Sequence, residues 1–196
     1  MRNIVLILSL VIAWAGTAMA YGYGDVEDAM VTVFKKGVAA ARSGDWGGAR
    51  KSAQEGLAIQ KGHIFEGTAL APKFDAAIGK KNMGETGELF ANLVYLTILE
   101  KLYRIKQEKF VDFKNDKARL ALARKSYLDV LDGNVKKRDA ALSASLLGQF
   151  DAALEALGNP GLFGVGAKPA DSEKFDRAME AIEQGLGKVF PGFIKG

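Results

Sequence analysis

The sequence predicts an all-α fold: an antiparallel helical bundle of about six helices plus one short helix, after a cleaved signal peptide. Three observations carry this expectation. Apolar residues recur at three- and four-residue spacing through most of the chain. No period-two β-branched run bounded by turn residues appears, because Val31-Thr32-Val33 lies inside a stronger helical pattern. Turn signals separate the periodic segments at short intervals, so neighbouring helices must reverse direction.

The leader comes first. Arg2 precedes an apolar run from Ile4 to Ala15, and Ala18-Met19-Ala20 precedes polar sequence, which predicts a secretory signal peptide over 1–20 with cleavage after Ala20. The apolar run is shorter than the ~20 residues that span a bilayer, so no transmembrane anchor is expected in the mature chain. Of the 196 residues, 21–196 then form a single all-helical domain, 176 residues long. The leader holds one charged residue, Arg2, so the net charge falls from +4 to +3 on its removal. So mild a balance gives no argument for nucleic acid. The chain has no cysteine, so the fold rests on packing alone. The same absence excludes covalent haem attachment through C-x-x-C-H, thiolate metal sites, cysteine nucleophiles and a lipid-modified N-terminal cysteine. The localisation this implies is periplasmic.

Asp25 is placed to cap a first helix reaching Ser43, with Val26, Met30, Val33, Phe34 and Val38 on one face and Gly44 past its end. Asp45 caps a second helix from Trp46 to about Phe65, and the short turn between them predicts an antiparallel hairpin. Ala71-Pro72 starts a short helix to about Lys80, which Lys80-Lys81-Asn82-Met83-Gly84 breaks. Next comes the most apolar stretch, Leu89 to Ile105. Its apolar residues circle the whole helix, which places it at the centre of the bundle. Asp116 opens a helix carrying Leu120, Tyr127, Val130 and Leu131, closed by Gly133-Asn134. Asp139 to Leu157 follows, with Gly148 marking either a close crossing or a break. Residues 158–170 read as a flexible loop and the one candidate linker. Asp171 caps the last helix, whose face is Phe175, Met179, Ile182 and Leu186, and the tail Phe190, Phe193 and Ile194 is expected to dock on the bundle.

Two segments resemble known families. Gly37, Gly44, Asp45, Trp46 and Ala49 resemble the turn and second-helix start of a tetratricopeptide repeat, and Gly148, Phe150 and Ala153 repeat part of it. The copies lie 104 positions apart, not a multiple of the 34-residue period, so the likeness is read as αα-hairpin chemistry. Asp25 to Met30 resembles the opening helix of cytochrome b562-type proteins, which implies non-covalent haem with Met30 as an axial ligand; that family's histidine ligand lies in the final helix, and here His63, in the second, is the sole histidine that could take the other position.

A metal ion is the second cofactor reading. His63-Ile64-Phe65-Glu66 would put imidazole and carboxylate on one helix face. Glu100 and Tyr103, with Asn92 and Tyr95, would offer hard ligands if buried. Against this, Thr97, Glu100, Lys101 and Arg104 form a narrow stripe expected to face water. Lys136-Lys137-Arg138 adjoins an expected helix start, where cations oppose the dipole, so it reads as a solvated turn or a patch for an anionic surface. Ser52, Ser126, Ser143 and Ser145 lack a partnered base, and no G-x-S-x-G elbow or phosphate loop appears.

The function expected is that of an exported, non-enzymatic binding or accessory component of an envelope system, with a protein partner or small ligand. A periplasmic iron-binding or delivery protein is the alternative, since in general texture the chain is similar to exported all-helical proteins of bacterial iron uptake. A haem-binding electron carrier is the third.

Overall fold

The structure is a computed structural model that describes residues 27–195; the signal peptide expected over 1–20 and the expected cap Asp25 lie outside the described residues. Its centre is α4, Met83–Gln107, in which Phe90, Leu93, Val94, Leu96, Ile98, Leu99, Leu102 and Ile105 have no exposed surface. The all-round apolar pattern has the consequence expected of it: this helix is covered on every side.

On one side lies the hairpin of α1, Ala29–Ser43, and α2, Trp46–Gln60. Asp28 caps α1, its carboxylate accepting from the Met30 amide at 2.8 Å. Asp45 caps α2 as expected, and Gly44 closes α1 with φ 79°. Gly37 lets α1 lie against α4, because a Cβ there would fall 2.1 Å from the Phe90 ring. A 3₁₀ turn, Gly67–Leu70, and the short α3, Ala71–Gly79, complete this half.

On the other side, α5 begins at Phe113 under an Asp112 cap, three residues before Asp116. It runs without a break through a π-helical turn, Tyr127–Leu131, into α6, Asp132–Arg138. Gly133-Asn134 therefore lies inside helix and does not close one. Asp132 explains the continuation: its carboxylate accepts from the Tyr127 hydroxyl at 2.9 Å and the Ser143 hydroxyl at 2.6 Å, fixing the rod to the next helix. That helix is α7, Ala140–Ala156, capped by Asp139 and unbroken at Gly148, where a Cβ would meet nothing within 4 Å. The last helix is α8, Ser172–Val189, which packs along α7.

Counting residues 113–138 as one rod, the described residues form six long helices and one short one around a shared apolar core. They contain no strand, only two isolated bridges between 158 and 170. The tail docks: Phe193 meets Tyr95 at 5.7 Å, and Asn92 both donates to the Ile194 carbonyl and accepts from its amide, each at 3.0 Å. No helix among the described residues is long and apolar enough to cross a membrane.

Candidate functional site

The predicted ligands lie around one seam, where the turn after α2 folds down on α4. Because α2 ends at Gln60, His63 and Glu66 stand on this turn and not on a helix face. Gln60 is fully buried and donates to Thr97 Oγ1 at 2.8 Å, so the helix cannot continue over α4 in the same direction. His63 Nδ1 meets Gln60 Oε1 at 3.2 Å, and Glu66 accepts from the Gly62 amide at 3.2 Å. The two side chains turn to different partners.

Glu100 departs from expectation. It is 4% exposed, accepting from the Ile64 amide at 2.9 Å and from Arg104 Nε at 2.6 Å. Thr97 is buried by Gln60, and Lys101 pairs with Asp28 at 2.5 Å. Of the stripe expected to face water, Thr97, Glu100 and Lys101 are thus covered by the 61–66 turn and the start of α1, and Arg104 keeps a partly exposed side chain. Tyr103 stacks edge-on with Phe65 at 4.9 Å and donates to Glu183 at 3.1 Å. Tyr95 and Asn92 hold the tail instead of joining this group. Among the described residues no three His, Asp or Glu side chains converge to hold a metal ion. Met30 is 1% exposed, with its sulfur 3.4 Å from where a Gly56 Cβ would be, so it fills the seam between α1 and α2.

Lys136, Lys137 and Arg138 fall in the last turn of α6, where cations favour the helix dipole. Their position is explained without an external anion. Arg138 donates to the Val189 carbonyl and covers the Phe190 ring, forming one wall of a cleft of about 350 Å³ between α3, α4 and the tail. Lys73, Glu85 and Glu88 give that cleft both signs of charge, so it selects neither.

The segment 158–170 is the other unusual surface. It folds as a tight hairpin: Asn159 and Lys168 exchange amide bonds at its base, at 2.9 and 2.7 Å. Leu162 and Val165 exchange them at its tip, at 3.2 and 3.0 Å. Gly158 is required at the base, since a Cβ there would sit 2.4 Å from the Lys168 carbonyl oxygen and its φ is +73°. The two-residue turn is Phe163-Gly164, both at positive φ, 52° and 83°. Such turns favour Gly, Asn or Asp at both positions, and a bulky side chain in this region costs roughly 1–2 kcal/mol. Phe163 is nevertheless 99% exposed, flanked by exposed Leu162 and Val165. The strain therefore serves no buried contact. Beside the hairpin, Phe110, Val111, Phe113, Leu157, Pro160 and Pro169 line an apolar groove of about 490 Å³, with Val111 81% exposed.

Compared with protein-family models, curated proteins and solved structures, the chain matches none. The apolar hairpin is the feature that helical periodicity passes over. Its signal in the sequence is Leu162-Phe163-Gly164-Val165 standing in a Gly- and Pro-rich segment without an acidic residue.

Proposed function

We propose that the protein is an exported, periplasmic, non-enzymatic binding component of the envelope, engaging its partner through the apolar end built by the hairpin and the α4–α5 turn. The leader, with Arg2, Ile4–Ala15 and Ala18-Met19-Ala20, supports the compartment and cleavage after Ala20. Phe163 carries the reading of function. An aromatic side chain held outside in a strained turn, with apolar neighbours and an apolar groove beside it, fits an interaction site better than a structural loop. The expected ligands have partners within the fold. Glu66, Glu100 and Tyr103 all hold backbone or neighbouring side chains in place.

The test is a photo-crosslinking amino acid at position 163 in cells that export the protein, with position 54 as control. Gln54 is exposed on α2. A discrete adduct at 163 and none at 54, on a chain whose N-terminus is Tyr21, is the expected outcome. Absence of an adduct at 163, or the same products at both positions, refutes the reading.

A further inference from the structure

We infer that the groove under the C-terminal tail is a second binding site, for an extended peptide segment of another protein, which residues 191–195 fill in cis. It lies past the far end of α8, whose 18 residues span about 27 Å from the hairpin side, so it does not rest on the reading above. Asn92 carries the inference. Its side chain is buried, and both of its polar atoms serve one residue, donating to the Ile194 carbonyl and accepting from the Ile194 amide, each at 3.0 Å. Those two groups belong to the main chain, so Asn92 reads an extended backbone and not isoleucine.

Two side-chain subsites flank it. The rings of Tyr95 and Phe190 take the ring of Phe193, with centroids 5.7 and 4.6 Å away. Glu183, 15% exposed and held by the Tyr103 hydroxyl, takes the Lys195 ammonium. The ligand these groups define is an aromatic residue, then any residue with a main-chain amide, then a cation. The tail meets that description but fits loosely: Pro191 and Gly192 are exposed, and Phe193 and Ile194 are half-buried. A cleft of about 350 Å³ stays open beside it, and a Cβ at Gly192, on the cleft wall, would meet nothing within 4 Å. A terminal segment held so lightly opens at little cost, and the open form leaves the Asn92 amide to be satisfied by a peptide in trans. A second copy would bring the same glycine and leave the same cleft, which favours a partner whose side chains fill it.

The test uses the exported chain, purified as the cell processes it, and a synthetic peptide of residues 191–196, with binding read by calorimetry. Ile194→Pro removes the amide that Asn92 accepts from and leaves the groove itself intact. The peptide is expected to bind the Ile194→Pro chain, and to bind the unsubstituted chain about tenfold more weakly or worse, because there the tail competes at roughly millimolar effective concentration. Methylating the peptide nitrogen at the position of Ile194 should weaken binding about tenfold or more, and so should Asn92→Leu in the chain. The methylated peptide changes nothing in the core, so it decides the matter even where Asn92→Leu fails to fold. No binding to the Ile194→Pro chain, equal binding to both chains, or indifference to methylation overturns the proposal. So does a dimer of the unsubstituted chain in sedimentation equilibrium that Ile194→Pro dissociates, which would put a second copy's tail in the groove. None of these measurements involves residue 163, so the hairpin reading is decided separately by its own crosslink.

Discussion

Asp116 is fully buried in the first turn of α5, with Oδ2 lacking any hydrogen-bond partner and Arg119 reaching only Oδ1, at 3.4 Å. Burial holds its carboxyl above the usual carboxylate range, Arg119 offsetting part of that and Glu108 and Asp112 adding to it. A carboxyl whose value is raised in the folded state favours folding fully when protonated and loses that contribution as pH rises through the folded value. Asp116→Asn, a mimic of the protonated form, should therefore raise Tm at neutral pH, and the gain should shrink as pH falls through the ordinary carboxylate range. Thermal unfolding across pH checks this, and a gain independent of pH contradicts it. The residue scale is also where the sequence was least legible. His63 and Glu66 have helix spacing, yet Gln60 ends the helix by bonding to Thr97, thirty-seven positions away. Nothing local announces that bond.

Helix caps were the most legible elements. Asp45, Asp139 and Asp171 cap as their positions predict, each accepting from the amide three residues on, because this interaction is wholly local. Gly133-Asn134 misled for the opposite reason. Stop signals express propensity, worth ~1 kcal/mol, and the bonds of Asp132 to Tyr127 and Ser143 outweigh it. Gly148 is a clean case of propensity alone, exposed in an unbroken helix with open space around it. Gly148→Ala should stabilise the protein by about 1 kcal/mol, measured as a higher urea midpoint with an unchanged slope. The hairpin between α7 and α8 was legible as turn chemistry but not as a surface. Its exposure follows from the backbone bonds that aim Phe163 outward.

At the scale of the whole molecule, the all-helical class and the central place of α4 follow from periodicity, since a helix apolar around its circumference has only one place to go. Which elements cover its polar stripe does not follow, because Thr97, Glu100 and Lys101 are matched by Gln60, Ile64 and Asp28 from other segments. The result divides the molecule into a polar seam that closes the fold and an apolar end whose base, Phe110, Phe113 and Leu157, packs on the core while its tip, Leu162, Phe163 and Val165, stands exposed. That end is the centre of the functional account. Its most direct test uses the absence of cysteine, which makes Val165→Cys or Gln54→Cys the sole labelling site for an environment-sensitive fluorophore. Added envelope extract of the exporting cells should shift the emission of the label at 165 to the blue and leave the label at 54 unchanged. Equal shifts at both sites, or none at 165, would contradict the account.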